Sequence, residues 1–491
     1  MAISTLLALG DDVTPTCTSF LIGMTAIVAT VILFKRAKGK EKDKKSPPFA
    51  PEGMLKTISR MNENGAFFFR DMVKASGSDI IRLRLPIPGG AYAVGDPTAM
   101  RAIFNDEATD KPKAIYSAFD FISEKETVFS RTNTKEWKSA RKCIAYSFTS
   151  SEVKRMNRIC TEQVESWIQK KLEPCIQKNE TFDPSLEMIS LTFRSILEAA
   201  FEYPYVTDEG FQDFMHHLIV SLKEFAGRHN GNPLRKYYGL FLSEFREAKK
   251  STVAIRTFAA KILEAYRNNP NKSKNKTVIR MIVENKNYDS DKDRIADIIA
   301  TFLAGFESTG YTLGTTLMLL AKYPDVAEKL RRELLSLEKS SSKSSRSGYL
   351  HNVIQESQRF IPAGAFGSAR VLGRDFSFKD GSMVIPKGAI CFLPMILAHH
   401  HKETFKDPEN FRPERWDEED EKMRAAFMSF AVGKRDCVGQ SLAVTELYSV
   451  LPRLVTKYKF EIEAEGELHF FLTLKFVGAR LKAKRFDELI D

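Results

Sequence analysis

Apolar and polar positions follow three different rhythms along this chain. From Val13 to Phe34, VTPTCTSFLIGMTAIVATVILF contains no charged residue. A bilayer-crossing helix needs about 20 largely apolar residues, so this run predicts one membrane anchor. Between Asp79 and Pro97, DIIRLRLPIPGGAYAVGDP alternates about a Gly-Gly turn and predicts a β-hairpin. From Pro97 to about Gln355 the apolar positions mostly recur with helical spacing, as in SSEVKRMNRICTEQVESWIQKKLEPCI. Beyond Phe360 the pattern changes to short β-like runs (FSFKDGSMVIPKGAICFL), then proline turns, a last helix, and a hairpin near residues 458 to 480. The prediction is a mainly α chain with minor β (α+β), and no internal repeat.

The flanks of the apolar run fix its sense. Asp11 and Asp12 precede it, whereas KRAKGKEKDKK, from Lys35 to Lys45, has seven basic residues and two acids. A cleaved signal peptide has the opposite order, with bases first. By the positive-inside tendency the N-terminus lies outside and everything after Lys35 is cytoplasmic. The sequons at Asn179, Asn271 and Asn275 then stay unmodified. A basic run can bind nucleic acid, but beside an apolar span it is read as a membrane flank, with no nucleic-acid partner. The chain divides into a short N-terminal segment (1–12), an anchor (13–34), a basic run with a proline-rich hinge (35–53), and one large domain (54–491). SPPFAPEG, from Ser46, reads as a stiff spacer, and KSSSKSSRSG, from Lys339 to Gly348, as a surface loop.

Length and composition allow a large core: 491 residues, 43% hydrophobic, 28% charged, net charge +11. The six cysteines show no paired spacing and are read as reduced thiols. One of them, Cys437 in FAVGKRDCVGQSLA, stands between glycines just before an apolar helical run. The helix from about Gln440 points its first amides toward the sulfur, which favours thiolate. Gly433 and Gly439 would let a flat ligand lie against the loop, with Arg435 placed to meet its carboxylate. A buried filler is the plain alternative for a single cysteine.

Phe430, Gly433, Arg435, Cys437 and Gly439 together match FxxGxRxCxG, and on these residues the chain resembles the cytochrome P450 family, whose haem iron is held by a cysteine thiolate. Further matches follow in order. Glu356 and Arg359 form ExxR, and Arg415 lies in FRPERW; the resemblance makes these three a buried structural triad. Trp137 and Arg141 match WxxxR, which implies that both hold a haem propionate, with Arg370 as a third partner. AGFEST resembles [AG]Gx[DE]T[TS]: Gly305 would loosen the helix above the iron, Glu307 would relay protons, and Ser308 stands where threonine is usual, with Thr309 after it.

The resemblance implies the cytochrome P450 fold: one large helical domain with a small β-rich subdomain, preceded by the transmembrane helix. It implies haem b as cofactor, with Cys437 as the metal ligand and NADPH electrons arriving indirectly. The partners it implies are a flavoprotein reductase, with cytochrome b5 as a further candidate, and the endoplasmic reticulum membrane. The activity implied is insertion of one oxygen atom from O2 into a lipophilic substrate of the fatty acid, sterol or isoprenoid class. Aromatic stretches at Ile115 to Ile122, at FQDFMHHLI, at Phe302 with Phe306 and near Phe470 are candidates for the substrate pocket, though each also suits plain core. Ala363 to Gly367 suggests room above the haem. His399 to His401 cannot all face one ion on a regular element, so no second metal is expected there. Two rival functions remain: an oxygen-independent isomerase or dehydratase of the same fold acting on a lipid peroxide, and a haem-binding sensor without turnover.

Overall fold

The computed structural model describes residues 46–203, 206–229, 238–270, 274–339, 348–378 and 381–487. The expected anchor, the basic run and most of the Lys339–Gly348 loop lie outside these residues. Among the described residues no helix is long and apolar enough to cross a membrane.

The proline-rich stretch is not a free spacer. Arg82 N–H donates to the Pro48 carbonyl and Ala50 N–H donates to the Arg82 carbonyl, both at 2.8 Å. Ala50 is thereby fully buried, so this segment belongs to the folded body rather than to a hinge. Helix α1 (Met54–Ser76) follows and stops where Gly77 takes the left-handed conformation, φ 65°. The predicted hairpin is present as β1 (Ile80–Leu83) antiparallel to β2 (Ala91–Val94). Asp96 then caps α2 (Pro97–Asn105) by accepting from Ala99 N–H, with Pro97 in the first turn, where a missing amide costs nothing.

The helical body comprises α3 (Lys135–Ala145), α4 (Ser150–Trp167), α5 (Pro184–Phe201), α6 (Asp208–His229), α7 (Ser243–Asn268), α8 (Val278–Glu284), α9 (Asp291–Lys322), α10 (Pro324–Lys339) and α11 (Tyr349–Phe360). The axis of the domain is α9, 32 residues and about 48 Å long at 1.5 Å per residue. Its ends obey the macrodipole: Ser290 caps it, Asp291 and Asp293 sit in the first turn and Lys322 in the last. It crosses α5 closely because glycines stand at the contact. A Cβ on Gly310 would lie 2.7 Å from the Ile189 Cα, and one on Gly314 would lie 2.8 Å from the Pro184 carbonyl oxygen.

After α11 come β3 (Ser368–Val371), β4 (Phe376–Phe378), β5 (Met383–Ile385) and β6 (Ile390–Leu393). A mixed four-stranded sheet has the order β1-β2-β6-β3, with β2 and β6 parallel and buried at every position. The last helix, α12 (Gln440–Lys457), begins at Gln440 as expected. The final strands differ from a single hairpin: β7 (Tyr458–Ala464) pairs with β10 (Arg480–Arg485), and β8 (Glu467–Phe470) pairs with β9 (Leu474–Val477) between them. The β8–β9 ribbon is thereby carried against α9, a non-local placement that periodicity does not reveal.

Phe302 and Phe306 are core, 2% and 0% exposed, within an edge-to-face cluster with Phe193 and Phe214. Phe211 and Phe214 of FQDFMHHLI are equally buried.

Candidate active site

The segment before Cys437 is anchored by a buried polar knot. Glu356 Oε1 accepts from Arg359 Nη2 (2.8 Å), Arg412 N–H (2.9 Å) and Arg415 Nε (3.0 Å). Its Oε2 accepts from Arg359 Nε (2.9 Å) and Trp416 Nε1 (3.0 Å). Glu356, Arg359 and Arg415 are at most 1% exposed. The two guanidiniums also donate to the carbonyls of His399, Lys406, Asp407, Pro408 and Asn410, which fixes an otherwise irregular stretch of backbone. His399 lies beneath it, its Nε2 accepting from Met428 N–H while burial pushes its pKa down to about 3. A neutral imidazole in that place is a backbone acceptor.

From there the chain enters the cysteine loop. Gly433 has φ 79°, and a Cβ on it would stand 2.7 Å from the Phe104 carbonyl oxygen, so this position requires glycine on two counts. The Phe430 carbonyl accepts from Cys437 N–H at 2.8 Å, closing the loop. The Gly439 Cα faces the sulfur, and a Cβ there would come to 4.0 Å from Sγ. Cys437 is exposed on the face of the loop; the Gly439 and Gln440 amides favour its thiolate, while desolvation of the sulfur by the surrounding loop acts the other way and pushes the thiol up from its usual range. The amides at the helix start thus act in the expected direction, toward thiolate.

Around the loop four cations converge. Arg435 Nε donates to Asn133 Oδ1 at 2.8 Å and its guanidinium lies 3.5 Å from the centre of the Trp137 ring. Neither Nη1 nor Nη2 has a hydrogen-bond partner, although both are buried; the nearest acid, Asp110, is 3.5 Å from Nη2. Burial and its cationic neighbours Arg370 and Arg141 bring the Arg435 pKa down to about 10. Arg370, on β3, is 2% exposed and donates to the Ala369 carbonyl and the Ser368 hydroxyl. Arg141 donates to the Asp436 carbonyl and pairs with its carboxylate. Lys111 is also buried, its Nζ over the Phe129 ring and bonded to the Phe129 carbonyl, and burial beside Arg370 pushes its pKa well down. Such a cluster is costly unless an anion meets it. Trp137 takes part through its ring, because its Nε1 is committed to the Val128 carbonyl at 3.1 Å. A direct propionate bond from that nitrogen is thus not prepared.

Facing the loop's apolar side is α9. Leu303 of α9 and Val438 pack on the same buried cluster. Helix α9 runs unbroken through Gly305, with no loosening of the helix there, and a Cβ on this residue would meet the tip of the Ile196 side chain at 1.9 Å. The AGFEST residues diverge around the helix. Ala304 is exposed and Ser308 partly so, with Ser308 Oγ donating to the Ala304 carbonyl at 3.1 Å. Glu307 turns to the β8–β9 ribbon, its Oε1 accepting from Thr473 Oγ1 at 3.1 Å. Thr309 turns toward Glu446 of α12, whose carboxyl oxygens are buried without a partner within bonding distance.

Sequence reasoning singled out Arg435, Arg141, Arg370, Trp137 and Cys437, and the fold brings them together. It missed Lys111, Asp110 and Asn133, which lie in two loops with no motif, and Glu446, which lies on the helix that follows the cysteine loop and looks like an ordinary helix acid.

The cytochrome P450 family model matches residues 63–485, and the chain belongs to that family. It is 27% identical over 425 residues to cytochrome P450 9c1 of Drosophila melanogaster, covering 77% of this chain and 79% of that protein. It is 35% identical over 176 residues to cytochrome P450 monooxygenase traB of Penicillium crustosum, covering 33% and 34%. Over 204 residues it is 32% identical to human cytochrome P450 4F12, covering 38% of each. The last two matches thus span well under two thirds of those relatives. Family membership makes the chain a haem-thiolate monooxygenase in the general sense.

Proposed function

We propose that the chain inserts one oxygen atom from O2 into a lipophilic small molecule of the fatty acid, sterol or isoprenoid class. When bound, haem supplies oxygen activation. The residues present suit it: Cys437 would ligate the metal, Gly433 and Gly439 leave room for a planar ring, and Arg435, Arg370, Arg141 and Lys111 would meet two carboxylates, with the Trp137 ring backing Arg435. The observation that carries this reading is the buried Arg435 guanidinium beside the cysteine loop, with two nitrogens that make no hydrogen bond.

Ser308 is the hydroxyl on the open stripe of α9, and it would hold a proton at Oγ for the reaction. Glu307 and Thr309 would act behind it, since their side chains turn away. Electrons from NADPH would come through a separate flavoprotein reductase, with cytochrome b5 as a further donor. Of the net charge of +11, +5 lies in the run from Lys35 to Lys45, and the positive remainder on the rest of the chain suits an acidic partner. Val13 to Phe34 would hold the domain on the cytoplasmic face of the endoplasmic reticulum.

The test is the carbon monoxide difference spectrum of the reduced protein beside Cys437→Ser. A strongly red-shifted Soret band, lost in the variant, is expected; haem without that shift, or no haem, sinks the reading. Reductase-dependent oxygen consumption separates it from an oxygen-independent isomerase or a sensor.

A further inference from the structure

Behind the AGFEST segment lies a buried charged network that the reading above leaves without a role. Glu307 is 4% exposed, and one turn on, Tyr311 is 1% exposed on the same face of α9. The β8–β9 ribbon delivers two polar side chains to that face. Thr473 donates to Glu307, and Lys475, itself only 8% exposed, donates from Nζ to the Tyr311 hydroxyl at 3.0 Å. Lysine is almost never enclosed without a counter-charge. The acids that act on Lys475 are Glu307 and Asp183, the residue that caps α5. Arg480, at the start of β10, offsets Asp183, which leaves Glu307 as the principal partner. On the opposite side of α9, Glu446 faces Thr309, not this network.

Burial alone drives Glu307 toward its neutral acid and Lys475 toward its neutral amine. Each opposes that drift in the other, at low effective dielectric, where charges interact strongly without touching. Tyr311 holds Nζ in place, and its own hydroxyl, pushed well up by burial, stays protonated.

We propose that Lys475, reaching α9 from the β8–β9 ribbon, is the counter-charge and positioning residue of Glu307, and thereby governs when Glu307 can take up or release a proton behind Ser308. The link to proton supply rests on the monooxygenase reading; the charge coupling does not. A substitution in a ribbon far along the sequence from the helix would then alter the pH response of the site without touching Ser308 or Cys437.

The experiment is an infrared titration of the carboxylic acid C=O band of Glu307 in the haem-loaded protein, assigned by its absence in Glu307→Gln. In Lys475→Met the midpoint of this band moves upward by one pH unit or more, a tenfold change in proton affinity. Lys475→Arg leaves it near the original midpoint. Lys475→Gln, which keeps a donor for Tyr311 and removes only the charge, shifts it as Met does and carries the test should the Met variant not fold. A midpoint in either neutral variant within about 0.3 unit of the original overturns the proposal. As a second readout, the pH profile of hydrogen peroxide formed per NADPH consumed moves in the alkaline direction by the same amount. An infrared shift without reductase-dependent turnover would leave the coupling standing and remove the monooxygenase reading instead.

Discussion

Replacing Glu356 by alanine removes the one carboxylate that faces two fully buried guanidiniums. Five donors converge on it: Arg359 twice, the Arg412 amide, Arg415 and Trp416. Breaking a buried pair by deleting one partner costs about 3–5 kcal/mol, because the remaining charge stays in a medium that cannot solvate it. Here two charges are stranded, so the expected loss is at the upper end, about 5 kcal/mol. That is comparable with the whole stability of many domains, about 5–15 kcal/mol. The assay is urea unfolding followed by circular dichroism, with haem content per chain measured in parallel. Glu356→Ala should lose most of its folded population and its haem together, and Glu356→Gln, which keeps one accepting oxygen, should lie between. Removing all three charges with Glu356→Leu, Arg359→Met and Arg415→Met is not expected to restore stability. The arginines also serve five backbone carbonyls, and each buried acceptor left without a donor costs about 1–3 kcal/mol. A loss below about 1 kcal/mol for Glu356→Ala, with haem retained, would place the triad among ordinary surface pairs and refute this reasoning.

Three further outcomes are expected. Gly310→Ala should gain about 1 kcal/mol of helix propensity but lose more, about 1–3 kcal/mol, because the new Cβ meets Ile189 backbone at 2.7 Å; a higher urea midpoint would contradict the close crossing of α5 and α9. Arg435→Met should raise the unfolding midpoint of the haem-free protein, since it removes a buried guanidinium that lies among other cations and has two nitrogens without a hydrogen bond, yet speed haem loss several-fold; a lowered haem-free midpoint would speak against the repulsive cluster. Asp120, pushed up to about 6 by burial and by Glu126, binds its proton more tightly folded than unfolded, so stability falls as pH rises from about 4 to 6. Asp120→Asn should therefore stabilise at pH 7.5, by about 1 kcal/mol after allowance for solvent screening, and change little at pH 4; equal effects at both pH values would contradict the assignment.

The local chemistry of this protein is written in its sequence where neighbours along the chain are neighbours in space. Periodicity identifies the hairpin at Ile80–Val94 and a long helix over 297–324, which the structure begins at Asp291 and ends at Lys322, and the spacing around Cys437 identifies the loop, because its glycines and its helix start act within a dozen residues. Side-chain direction on a known helix is a different matter. AGFEST is legible as a motif, yet only packing against the β8–β9 ribbon and α12 sends Glu307 to Thr473 and Thr309 to Glu446, leaving Ser308 on the open side. The proline-rich stretch looks like a spacer until the backbone of Arg82 offers it a strand edge. Of the cation cluster, Arg141, Arg370 and Arg435 are legible through their motifs, but Lys111 is not: the four come from separate segments, and like charges meet only because independent pieces of backbone are each held by their own cores. Composition and pattern determine which elements form, since those depend on residues within a turn or two; which charges those elements bring together is decided by long-range packing, whose energy is shared over the whole core.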